Sequence, residues 1–142
     1  MRFFNRLVRK IKALFRKTYT LEGLEIEVPK QFVLPDFQND YRLYDRFLPV
    51  LAAALPKEGL IVDIGANIGD TLVGMAMHCE NEFLCVEPVD RFSTYFAKNA
   101  SRLQKNRPNK VGLIKAFVGT GEFGGKLTFS HQGTARVDET AN

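Results

Sequence analysis

Gly59-Leu60-Ile61-Val62-Asp63-Ile64-Gly65-Ala66-Asn67-Ile68-Gly69 is the stretch around which the 142-residue chain is organised. Leu60, Ile61, Val62 and Ile64 form a short, mostly β-branched apolar run bounded by glycines. Such a run reads as a buried strand of a parallel sheet. Asp63 lies at its carboxyl end. Gly65 to Gly69 then make a sharp turn, and Asp70-Thr71 open a helix carrying Leu72, Val73, Met75 and Ala76. Strand, glycine turn and helix are the first unit of a doubly wound α/β fold, and ligands sit at such turns.

The residue types fit a binding turn. Gly65 and Gly69 lack a Cβ, so the backbone can bend tightly and a ligand can approach it. The free N–H groups of the turn favour a carboxylate or phosphate. Asp63 could hold an ammonium group or brace the loop. The next strand, Phe83 to Val86, ends in Glu87, where a carboxylate can accept hydrogen bonds from both hydroxyls of a ribose. A dinucleotide fingerprint requires G-x-G-x-x-G, but Asn67 stands where its second glycine belongs. The lysine of a phosphate-cradling P-loop is also missing.

What remains is D-x-G-x-x-x-G followed by a strand-end acid. It resembles the first two motifs of class I S-adenosylmethionine-dependent methyltransferases. DIGANIGDT (Asp63 to Thr71), VEP (Val86 to Pro88), and Phe96 and Asn99 downstream are similar to the FkbM family, which O-methylates hydroxyls of sugars and natural products. The resemblance covers about Leu43 to Val137. It implies a Rossmann-like methyltransferase fold, S-adenosylmethionine as cofactor, and Asp63, Gly65, Ala66, Asn67, Gly69 and Glu87 as the residues that hold it. The acceptor it implies is a small-molecule or glycan hydroxyl. No catalytic residue is identifiable: His131 is a candidate general base, although a lone loop histidine more often has no such role. Pro88 and Phe117 are candidates for the adenine site.

Composition bounds the alternatives. The chain makes one domain at most. Cys79 and Cys85 do not form a disulfide framework and, with His78 and His131, give no zinc constellation, so no metal is expected. A reduced, cytoplasmic setting follows from a cysteine in a buried strand. The net charge of +4 is carried by residues 1–17, which hold seven bases and no acid; the remainder has 13 bases against 16 acids. The acidic body argues against a nucleic-acid partner.

Three segments follow. Residues 1–17 read as a basic amphipathic helix, with Phe3, Phe4, Leu7, Val8, Ile11, Leu14 and Phe15 within roughly 140° of arc. Such a helix suits an anionic membrane surface, which would make the protein peripheral to a membrane. It suits almost equally a stripe packed on the body. Residues 18–58 read as a hairpin turning at Glu22-Gly23, a loop from Pro29 to Asn39, and a helix capped by Asp40 that carries Tyr44, Phe47, Leu48, Leu51 and Leu55, with Pro49 kinking or restarting it. Residues 59–142 hold the partial S-adenosylmethionine-binding domain. In it, a helix from Asp90 to Lys105 turns Phe92, Tyr95, Phe96, Asn99 and Leu103 inward. A third strand runs from Val111 to Val118, and a small hairpin follows the glycine-rich loop from Gly119 to Gly125.

Class I methyltransferases have seven strands in the order 3-2-1-4-5-7-6, and only counterparts of the first three occur here. The fold is therefore expected to be truncated after the third strand and the hairpin, with no counterpart of the family's acidic fourth-strand motif. The first strand is expected to be an uncovered apolar edge. A truncated reading frame, or cover by a partner or by the N-terminal strands, would account for this. The donor half of a methyltransferase is expected, and the chain alone is not expected to turn over. The rival readings are a non-enzymatic membrane-surface module and a nucleotide-binding module for another cofactor.

Overall fold

The computed structural model describes residues 15, 17–30, 32–41, 45–119, 125–129 and 135–139. The basic segment, apart from Phe15 and Lys17, and His131 lie outside them. The elements in chain order are β1 (Thr18–Leu21), β2 (Leu24–Glu27), α1 (Leu34–Asp40), α2 (Phe47–Ala54), β3 (Leu60–Ile64), α3 (Asp70–Ala76), β4 (Glu82–Val86), α4 (Asp90–Gln104), β5 (Val111–Ile114), β6 (Gly125–Phe129) and β7 (Ala135–Glu139).

The chain is α/β. β3, β4 and β5 form a parallel sheet in that order, with Leu60 opposite Glu82 and Phe83 opposite Val111. The expected hairpins are present as β1–β2 and β6–β7. Register and alternation divide the sheet residues between two faces. Ile61, Asp63, Phe83, Cys85, Val111 and Leu113 share one face; Leu60, Val62, Ile64, Leu84, Val86 and Ile114 share the other. The first face belongs to the core, with Leu72, Val73, Met75 and Ala76 of α3 and Phe92, Phe96, Ala100 and Leu103 of α4. α2 packs beside α3, and α3 beside α4. The β1–β2 hairpin lies on the helices and adds Ile26 and Val28 to the core.

α4 follows its sequence pattern: Phe92, Phe96, Asn99 and Leu103 are buried and Tyr95 is half-buried. Two expectations in the preceding segment are corrected. The stretch from Pro29 to Asn39 is not all loop, because Leu34–Asp40 is helical, with Pro35 in its first turn, where a missing N–H costs nothing. Asp40 is the last residue of this helix rather than the cap of the next one; α2 begins at Phe47 after Arg46, with Pro49 in its first turn. The stripe of Phe47, Val50, Leu51 and Leu55 is exposed, and the side buried against the core is that of Ala52.

β3 is an edge strand, and Leu60, Val62 and Ile64 are exposed. The third strand ends at Ile114, and the backbone continues to Val118 without strand pairing among the described residues.

Candidate functional site

Three left-handed residues shape the glycine turn: Gly65 at φ +85°, Asn67 at +49° and Gly69 at +83°. Asparagine tolerates this region better than most residues with a side chain. The two glycines serve different ends. A Cβ on Gly65 would meet no protein atom within 4 Å, so it would point into open space. A Cβ on Gly69 would lie 3.1 Å from Cδ2 of Phe96, so this glycine lets α4 come up under the turn. The Gly65 and Ala66 N–H groups donate to the Val86 carbonyl, at 2.8 and 3.0 Å, which ties the turn to the end of β4.

Glu87 stands one residue past β4 and is 4% exposed. Its Oε2 accepts the Asn67 N–H at 2.9 Å and its Oε1 accepts the Val89 N–H at 2.8 Å. The strand-end acid and the glycine turn are thus one hydrogen-bonded unit. Each carboxylate oxygen keeps acceptor capacity beyond its single backbone bond.

The turn, Glu87 and the segment after β5 enclose a cleft of about 370 Å³. Ile64, Gly65, Asn67, Glu87, Pro88, Phe92 and Phe117 line it, among others. Its position at the carboxyl ends of parallel strands is where α/β sheets bind ligands. Pro88 and Phe117 both reach it. Phe92, expected only as core, forms part of its wall as well.

The six residues expected to hold a cofactor divide into three groups. Gly65, Asn67 and Glu87 line the cleft. Ala66 and Gly69 are buried beneath the turn. Asp63 is not in the lining: it lies on the helix-facing side of β3, and its Oδ2 is buried with no hydrogen-bond partner among the described residues. Burial raises its pKa, and the charges of Asp45 and Glu87 raise it further.

Asp70, in the first turn of α3, has its carboxyl pushed up to about 7 by burial; its own backbone N–H opposes this, and Asp45 and Asp63 add to it. The helix end therefore does not gain a full negative charge from Asp70 at neutral pH. Between the ordinary carboxylate range and pH 7 the folded state keeps a proton that the unfolded state has lost. Stability must then fall as pH rises through this window and level off above it. Asp70→Asn is expected to be more stable than the parent at pH 8, by roughly 1–3 kcal/mol, and to match it near pH 4. Urea unfolding at the two pH values checks this; a gain of the same size at both would assign the effect to packing rather than titration.

Sequence reading turned Asn99 inward without its partners and did not single out Asn81. Asn99 is fully buried; its Nδ2 donates to the carbonyls of Glu27 at 3.0 Å and Ile68 at 2.9 Å, and its Oδ1 accepts the Glu27 N–H at 2.7 Å. It joins the N-terminal hairpin to the glycine turn through α4. Asn81 donates to the carbonyls of Pro56 and Gly59, fixing the entry to β3. An asparagine in an inward helical position is the one available signal, and Asn99 gave it.

Cys85 is fully buried, and burial, with Asp63 beside it, pushes its thiol up to about 12, so it stays a thiol and packs as a small apolar group. His78 is a surface residue just past α3, 3.1 Å from Glu22. No helix among the described residues is long and apolar enough to cross a membrane. Compared with protein-family models and with curated proteins, the chain has no match in either.

Proposed function

We propose that this chain carries the cofactor-binding half of an S-adenosylmethionine-dependent O-methyltransferase fold of FkbM type, acting on a hydroxyl of a small molecule or glycan. The observation that carries the reading is the unit formed by Glu87, the Asn67 N–H and Gly65 at the mouth of the cleft. Glu87 is held from behind by two backbone donors, so its remaining lone pairs are aimed without further ordering. A vicinal diol can donate to both oxygens, as the ribose of a nucleoside does. Gly65 leaves open space where any side chain would stand. Pro88, Phe92 and Phe117 offer apolar surface for a flat base.

The remaining features favour a cationic ligand over a diphosphate. Asp45 and Glu87 act on Asp63, and Asp45 and Asp63 act on Asp70, so the acids gathered behind the turn disfavour further negative charge there. A dinucleotide would bring two more negative charges to this region. When bound, S-adenosylmethionine supplies a methyl group already activated by its sulfonium. The tasks left to the chain are to orient the donor and to shield it from water.

Titration calorimetry with S-adenosylhomocysteine and with NAD tests the assignment. S-adenosylhomocysteine is expected to bind with a one-to-one stoichiometry and NAD not to bind. Binding of NAD alone would favour the nucleotide-binding reading, and binding of neither would leave the cleft without its assigned ligand. The membrane-surface role of residues 1–17 is a separate proposal that rests on their charge and apolar stripe alone.

A further inference from the structure

Glu27 ends β2, and Asn99 lies in α4, 72 residues further along the chain. The Asn99 amide presents one acceptor oxygen and two N–H donors, and all three groups are engaged. Its Oδ1 accepts the Glu27 N–H at 2.7 Å, and its Nδ2 donates to the Glu27 carbonyl at 3.0 Å and to the Ile68 carbonyl at 2.9 Å. Asn99 and Ile68 are both fully buried, where the low local dielectric strengthens such bonds. The Glu27 carboxylate adds Arg102 at 2.7 Å and Lys98 at 3.0 Å. The end of the hairpin is thus fastened to α4 and, through the Asn99 side chain, to the glycine turn.

Ile68 stands where this contact bears on the cleft. It lies between Asn67 at φ +49° and Gly69 at φ +83°. Glycine adopts positive and negative φ about equally well, so the peptide group joining Ile68 to Gly69 needs its own bonds to keep one orientation. Its N–H closes the turn on the Ala66 carbonyl at 2.8 Å, and its carbonyl is held from outside the turn by Asn99. One residue back, the Asn67 N–H meets Glu87 at 2.9 Å, and both of these residues line the cleft. We propose that Asn99 is a positioning residue for the cleft: by fixing the Ile68 carbonyl it holds the Asn67 N–H and Glu87 together, with the N-terminal hairpin as the anchor behind it.

Asn99 then acts on affinity without touching a ligand. A turn released at Ile68 samples a second arrangement, and apparent affinity falls with the fraction of molecules left in the competent one. The hairpin, far from the sheet in chain order, becomes part of the support of the site. The effect on affinity rests on the cofactor reading; the effect on the turn does not.

Nuclear magnetic resonance and titration calorimetry on the full chain test the inference. Asn99→Asp keeps the shape and the acceptor for the Glu27 N–H, but has at most one donor for two carbonyls. It is expected to move the Asn67 amide proton upfield, as the bond to Glu87 weakens. It is also expected to weaken S-adenosylhomocysteine binding by the folded protein roughly three- to tenfold. Asn99→Ala removes the amide without adding a charge; it should do the same, and it stands in if the first variant misfolds. Leu103→Ala, one turn further along α4, empties a fully buried position that has no bond to the turn. It is expected to lower stability and to keep the parent's Asn67 resonance and affinity, which separates positioning from a general loss of stability. An unmoved Asn67 resonance in folded Asn99 variants, an equal movement in Leu103→Ala, or parent-like affinity in an Asn99 variant of a parent that binds would each overturn the proposal. A parent that does not bind S-adenosylhomocysteine removes the cofactor reading, and the Asn67 resonance then decides the positioning role alone.

Discussion

Gly65→Val is expected to fold and to lose S-adenosylhomocysteine binding by more than about a hundredfold. The packing of the protein gives no reason for the loss, since a Cβ at this position meets no protein atom within 4 Å. Two other effects combine. Gly65 sits at φ +85°, a region that costs an L-residue roughly 1–2 kcal/mol and a β-branched one more. The valine methyls would also enter the cleft beside Asn67 and Glu87, where the proposed ligand would approach the backbone. The strain should lower thermal stability moderately, and the steric block should remove binding. Gly65→Ala separates the two, since it keeps most of the strain and adds only one carbon. Gly69→Ala is the contrasting case: its Cβ would press on Phe96 at 3.1 Å, so stability should suffer first. Calorimetry and melting on the three variants give the pattern. Parent-like affinity in folded Gly65→Val would mean that the turn does not face the ligand.

The alternation of strand and helix from β3 to β5 was legible because each element carries a clean period or a glycine boundary. LIVDI between glycines is a strand whatever surrounds it, and Phe92, Phe96, Asn99 and Leu103 recur at helical spacing. α1 was not legible, because seven residues give too few turns for a period and its proline and polar residues resemble a loop. The apolar stripe around Phe47 and Leu51 was visible, but not whether anything covers it. Helical spacing identifies a face and is silent on its partner.

The same division runs through the site. The spacing from Asp63 to Gly69 and on to Glu87 suggested that the turn and the strand-end acid lie together, and Gly65, Asn67 and Glu87 do line one cleft. It could not show that Glu87 is engaged by backbone N–H groups 20 residues back and 2 residues on. Nor could it tell which side of β3 meets the helices. Parity puts Asp63 with Ile61 and against Val62, but only tertiary packing decides which of those faces is inside. That choice turns Asp63 away from the cleft lining and leaves it among Asp45 and Asp70.

Glu87→Ala is expected to show both halves of its role at once. On the proposed reading, the lost carboxylate removes a charged acceptor for the ribose hydroxyls, which would weaken binding by about 1.5–3 kcal/mol, or roughly ten- to a hundredfold. It also strands the Asn67 and Val89 N–H groups, both of which it accepts within 3 Å. Leaving buried donors unsatisfied costs about 1–3 kcal/mol, so the variant should also unfold at lower urea. Glu87→Gln refines the test. Its amide keeps one acceptor oxygen, but its NH₂ group must face a backbone N–H, so it preserves shape and loses half of the turn's support. Glu87→Asp is shorter by one methylene and cannot span both donors. Affinity is therefore measured under conditions where each variant is fully folded, and unfolding separately. A carboxylate that only braced the turn would lower stability and leave the affinity of the folded protein unchanged. A carboxylate that also meets the ligand lowers both, and the affinity loss persists in any variant stabilised elsewhere, for example by Asp70→Asn. The double variant Glu87→Ala/Asp70→Asn should thus regain stability at pH 8 without regaining binding. Recovery of binding along with stability would assign Glu87 to the fold alone.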